Sequence, residues 1–134
     1  MMNSTRLRTH KDLDVWNKAM ELASQIYSLT AQFPKEELYG LTLQTRRSAV
    51  SIPSNIAEGA ARNSKKEFIH FLHVALGSIA ELETQLLLAR NIGFLSETSP
   101  FDRIDKVRMM LAGLIRFIKK KPLTDHASRI TPSS

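Results

Sequence analysis

The sequence predicts an all-α protein, an antiparallel up-down-up-down four-helix bundle whose second helix is kinked near Pro53. Three observations predict it. Apolar residues recur every three or four positions through four segments. No segment shows the apolar–polar alternation of a half-buried strand. Breaker and cap residues separate the segments by short connections, which favours up-down packing. At 134 residues the chain fits one domain and is long enough for a core without disulfides or metals. The bundle is expected over residues 12–121. Residues 1–11, with Arg6, Arg8 and Lys11, read as a flexible basic arm, and 122–134, "PLTDHASRITPSS", as a disordered tail.

The first helix is predicted from Leu13 to Thr30, with Asp12 as N-cap. Leu13, Trp16, Met20, Ala23, Tyr27 and Thr30 fall at helical spacing, with Val15, Ala19, Leu22, Ile26 and Leu29 beside them, giving one broad apolar face. "FPKEEL" breaks that pattern, and Pro34 suits a new turn. The second helix begins between Pro34 and Leu41 and runs to about Arg62. The third starts at Ser64, which has capping-box spacing to Glu67, and ends near Asn91, with Gly93 free to adopt the left-handed conformation. The fourth starts at "SPFD", with Ser99 as N-cap, Pro100 in the first turn and Asp102 at capping-box spacing. Phe101, Ile104, Val107, Leu111, Leu114 and Ile118 carry it to Lys119–Lys121, cations that suit the negative end of the helix dipole.

The third helix holds more apolar residues than one face needs. Phe68, Phe71, Leu72, Ala75, Leu76, Ile79, Leu82 and Leu86 fill the seam, while Ile69, Val74, Ala80, Leu87 and Leu88 extend beyond it. A helix apolar around most of its girth must be covered on two sides, and another copy of the chain is the simplest cover.

"RRSAVSIPSNIAEGAAR", residues 46–62, is the unusual stretch. Leu41, Thr45, Ala49, Ile52, Ile56 and Ala60 form its core stripe. Gln44, Arg47, Ser51, Asn55, Glu58 and Arg62 form a second, polar stripe at steps of three and four residues. Its donors and acceptors are complementary, with Glu58 in reach of Arg62 and Ser51 in reach of Asn55. The expectation is a structural network, between helices or between subunits, that fixes register. Pro53 removes an amide and crowds the Ala49 carbonyl, at a cost of roughly 3 kcal/mol. The apolar stripe resumes in phase at Ile56, which favours a kink over a break.

These residues carry a resemblance. "FP" before the second helix, "QxxR" at Gln44–Arg47, "SIPSNIAEG" at 51–59, Phe68–Leu72 and "GSIAELET" at 77–84 resemble the four-helix-bundle proteins encoded in intervening sequences of bacterial large-subunit ribosomal RNA genes. The accessory variability proteins of diversity-generating retroelements are more distantly similar. The resemblance spans about residues 11–120. It implies an antiparallel four-helix bundle assembled as a ring-like homopentamer, with no catalytic activity established. The retroelement relatives bind nucleic acid and a reverse transcriptase through a basic surface.

Composition points the same way. Net charge is +6, which favours acidic partners, nucleic acid foremost. Candidate phosphate contacts are Arg6, Arg8, Lys65, Lys66, Arg103, Lys106, Arg108, Arg116, Lys119, Lys120 and Lys121. Trp16, Tyr27 and most phenylalanines sit at core spacing, so recognition by shape and charge of structured RNA or duplex is expected, without base stacking. The alternative is an oligomeric adaptor for a protein partner such as a reverse transcriptase. The absence of cysteine excludes disulfides and thiolate sites and is compatible with the cytoplasm. The N-terminus lacks a secretory apolar stretch, and no apolar run approaches the ~18 residues of a membrane span, so no membrane partner is expected. Glu67 and His70 form one E-x-x-H pair, and helical di-iron sites need two plus further carboxylates, so neither metal nor other cofactor is expected.

Overall fold

Serine, glycine and glutamate at the segment boundaries set where the helices start and stop. The computed structural model describes residues 9–120, so the sequence-predicted arm (up to residue 8) and tail fall outside the described residues. The described chain holds four α-helices and no strand: α1 (Asp14–Thr30), α2 (Leu41–Ala60), α3 (Lys65–Asn91) and α4 (Ser99–Lys120). Short 3-10 turns at His10–Asp12 and Lys35–Glu37 precede α1 and α2.

α1 begins one residue later than expected. Leu13 holds the N-cap position with extended backbone and no side-chain bond. Asn17 ties the preceding turn instead, donating to the carbonyls of Lys11 and Leu13, both at 3.1 Å. Gly40 precedes α2 and has no side chain with which to cap it. The Glu37 carboxylate does so, accepting from the Leu41 amide at 3.0 Å. α2 then runs unbroken through Pro53. Ser64 caps α3 as the sequence predicts, its hydroxyl accepting from the Glu67 amide at 3.0 Å. Gly93 follows with φ +90°, a left-handed conformation that closes the helix. Ser99 departs from expectation. It is the first residue of α4, and its hydroxyl accepts from Gln25 of α1 at 3.0 Å, which makes it a tether between helices.

The core sits along the axis of the four helices. Leu22, Ile26, Ile52, Ile56, Phe68, Leu72, Ile79, Leu82, Leu86, Ile104, Leu111 and Ile118 are all less than 2% exposed. Each such side chain contributes about 1.5–3 kcal/mol of burial. α1 and α3 each pack on both α2 and α4, so the helices close a ring in which α2 lies diagonally across from α4. Cross-helix pairs run in opposite residue order at three interfaces. Ser48 meets Gln85 and Ser51 meets Ser78. Gln25 meets Ser99 and Glu21 meets Arg103. Glu83 meets Arg108 and Arg90 meets Phe101.

α2 and α3 approach closely at Gly59. A Cβ built there would stand 2.9 Å from Phe71 Cβ and 3.1 Å from the Phe68 carbonyl oxygen, so only glycine fits without a shift. Of the apolar surplus of α3, Ile69 is half-buried against the core, whereas Val74, Leu87 and Leu88 remain at the surface, 38%, 37% and 49% exposed. By length and composition α3 is the one helix among the described residues that could cross a membrane, but its Phe68–Leu86 face is the bundle core. The broad face of α1 splits. Val15, Ala19, Leu22, Ala23, Ile26 and Leu29 are buried, whereas Trp16 is half-buried and Met20 and Tyr27 are exposed. The latter lie on the flank of α1, around the helix from its buried stripe.

Candidate nucleic-acid interface

The polar stripe of α2 is only partly a connected row. Ser51 and Asn55 form its centre. Ser51 Oγ lies 2.7 Å from Ser78 Oγ on α3, and Asn55 Nδ2 donates to Ser51 Oγ at 2.9 Å and to the Ser51 carbonyl at 2.8 Å. Asn55 thus holds the Ser51 hydroxyl aimed across the helix interface. Glu58 and Arg62 pair one turn apart. Arg62 also lies 3.8 Å from Glu67 and places its guanidinium 4.8 Å from the centre of the Phe71 ring. That cluster ties the end of α2 to the start of α3. Gln44 and Arg47 are exposed, and Arg47 makes no ion pair with another described residue.

Several members of the network are missing from the sequence-predicted stripe. Ser48, 6% exposed, donates to Gln85 Oε1 at 2.9 Å, so Ser48 faces α3 where Arg47 was expected to share the row. On the other flank Arg46 Nε donates to Thr30 Oγ1 at 2.8 Å, and Nη2 donates to the Tyr27 carbonyl at 3.3 Å. The guanidinium stands 4.5 Å over the Tyr27 ring, a cation–π contact. Thr30 Oγ1 in turn donates to the Ile26 carbonyl at 2.7 Å. Tyr27 is therefore no core aromatic as its spacing suggested. It is 46% exposed and forms a shelf for Arg46 between α1 and α2.

The candidate phosphate contacts divide into two sets. Arg103 lies 3.6 Å from Glu21, and Arg108 is held by both Glu83 and Asp105 at 2.7 Å. Those two arginines have acidic partners within the chain. Lys106, Arg116, Lys119 and Lys120 are exposed and make no ion pair with another described residue. The α3–α4 pairs at 83–108 and 90–101 place Lys119 and Lys120 level with about residue 71. At ~1.5 Å per residue that is within about 10 Å along the axis of Lys65 and Lys66. Lys119, Lys120, Lys65 and Lys66 thus share one end of the protein, whereas the Arg116 guanidinium lies beside Gly113, level with the middle of α3. Arg6, Arg8 and Lys121 lie outside the described residues.

The E-x-x-H pair is occupied by other contacts. Glu67 faces Arg62, and the His70 ring meets Phe71 edge-on at 5.1 Å between centroids. Among the described residues no three histidine or acidic side chains gather as metal ligands would.

Four helices, a hydrogen-bonded seam between α2 and α3, and an end rich in cations define a helical protein of surfaces. The 23S rRNA-intervening sequence protein family matches residues 11–114, and the chain belongs to that family. The chain is also similar to a crystal structure of a protein with unknown function from the S23 ribosomal protein family of Bacteroides thetaiotaomicron VPI-5482. The two share 26% identity and a TM-score of 0.71, over 76% of this chain and 95% of that one. No curated protein matches the chain.

Proposed function

We propose that this protein is a non-enzymatic homo-oligomer that binds structured RNA or other nucleic acid through its basic surface. The observation that carries the reading is the group of exposed cations toward one end, with Lys119 and Lys120 within about 10 Å along the axis of Lys66. Phosphate contacts of this kind set affinity and salt dependence without reading sequence. In this reading the chain is an antiparallel up-down-up-down bundle with α2 bent at Pro53. The opposite residue order of the cross-helix pairs supports the direction, and the amide that Pro53 cannot offer to Ala49 supports the bend. Exposed apolar side chains on α1, α2 and α3 support association of copies. A ring of five is what the family resemblance implies, and repetition would turn one modest cluster into a dense cationic surface with avidity.

A salt titration of binding to a ribosomal RNA hairpin tests this function. Four duplex phosphate contacts per protomer give a slope of log K against log salt of about −3.6. No binding, or binding indifferent to salt, removes the reading.

A further inference from the structure

We propose that the groove between α1 and α2 is a ligand site for a single-chain amphiphile with an anionic head, of the fatty-acid class. The proposal goes beyond the nucleic-acid reading and does not depend on it.

Two hollows, of about 650 and 420 Å³, lie along the outer side of the α1–α2 junction. Tyr27, Val50 and Ser54 line both, so they are halves of one groove. Volumes of this size, within about 300–1,000 Å³, are typical of small-molecule sites. The larger half is apolar and aromatic. Trp16, Met20, Ala23 and Pro53 line it, and the His10 ring meets Trp16 edge-on at 5.0 Å between centroids. The smaller half carries the charge, with Arg46 and Arg47 in its wall. No carboxylate lines either half, and neither arginine makes an ion pair with another described residue. Arg46 is held by neutral partners alone: Nε donates to Thr30 Oγ1 and Nη2 to the Tyr27 carbonyl, which leaves Nη1 for a ligand. Ser54 is exposed where the halves join, and its hydroxyl can donate or accept. The groove is thus apolar at one end and cationic at the other. Guanidinium groups present paired N–H donors that match a carboxylate.

The length also fits. Trp16 and Tyr27 lie about 16 Å apart along α1, at ~1.5 Å per residue. With C–C bonds of about 1.5 Å an extended alkyl chain advances about 1.3 Å per carbon, so about twelve carbons cover that distance. A chain laid from Trp16 to Tyr27 sets its head beside Arg46, whose guanidinium stands 4.5 Å over the Tyr27 ring.

Trp16 is the one tryptophan of the chain, so its fluorescence reads the apolar half directly. Titrating the full chain with dodecanoate, below its micelle concentration, should shift Trp16 emission and saturate at one molecule per chain. Butyrate, which lacks the tail, and dodecyl maltoside, which lacks the charge, should bind at least tenfold more weakly. Arg47→Gln and Val50→Glu, both at exposed positions, should each weaken dodecanoate about tenfold with helical circular dichroism unchanged. Lys119→Gln with Lys120→Gln should leave its affinity as in the parent. A parent chain without a saturable Trp16 response overturns the proposal. So does equal binding of dodecyl maltoside, or unchanged affinity in folded Arg47→Gln and Val50→Glu variants. An equal loss in the α4 variant also overturns it, because the attraction is then general to the charge of the chain. A chain that binds RNA and takes up no dodecanoate overturns this proposal alone and leaves the nucleic-acid reading standing.

Discussion

Replacing Gly59 with alanine tests the close approach of α2 to α3 at that position. The added Cβ would stand 2.9 Å from Phe71 Cβ, 3.0 Å from Phe68 Cδ1 and 3.1 Å from the Phe68 carbonyl oxygen. Phe71 Cβ and the Phe68 oxygen are fixed to the α3 backbone, so no change of rotamer relieves them. Overpacking of this kind costs about 1–3 kcal/mol. The helix propensity of alanine over glycine offsets about 0.5–1 kcal/mol. The tightest contact is shorter than real Cβ atoms tolerate, which places the cost in the upper part of its range. The net expectation is a loss of about 1–2 kcal/mol. Gly77→Ala is the control, because nothing lies within 4 Å of a Cβ there. Only the propensity remains, and stability should rise by about 0.5–1 kcal/mol. Urea unfolding reads both as midpoint shifts of opposite sign at constant slope. A Gly59→Ala protein as stable as its parent would refute the close approach.

Three further outcomes are expected. Ser64→Ala removes the only side-chain acceptor seen at the α3 N-cap and should cost about 1 kcal/mol in the same unfolding assay. Ser51→Ala deprives Ser78 of its cross-helix partner and Asn55 of one acceptor, so a loss of about 1 kcal/mol is expected, and Asn55→Ala should also lower stability. Neutralising Lys119 and Lys120 with glutamine should weaken binding to every duplex RNA alike and flatten the salt slope by about 2, measured by titration at several salt concentrations.

The starts and stops of the helices were legible where a local signal decides them. Ser64 and Gly93 act within a few residues of themselves, and the structure uses both as the sequence predicts. Ser99 carries the same signal, yet its hydroxyl serves Gln25, a residue 74 positions away in the chain. The two adjacent arginines of α2 show the same limit. They differ by about 100° around the helix. Local sequence does not tell which one finds Thr30: the spacing predicts a row through Arg47, while Arg46 holds α1. Tyr27 and Met20 match the period of a core face, but periodicity does not say how wide a stripe the neighbours will cover. The cation cluster was legible as charge. Only the ion pairs to Glu21, Glu83 and Asp105 separate Arg103 and Arg108 from the exposed lysines.

The opposite residue order of α1 and α4 has a consequence for how the chain can be recut. Gln25 opposite Ser99 and Glu21 opposite Arg103 place His10 level with about residue 114, so positions 10 and 120 lie on the order of 15 Å apart on adjacent helices. The 22 residues outside the described span are more than enough chain to bridge that gap. A circular permutant that joins residue 134 to residue 1 and opens between α3 and α4 should therefore keep every helix and every seam intact. Its new ends would emerge beside Gly93, at the pole remote from Lys119 and Lys120, where a label or a fused domain would leave that cationic end clear.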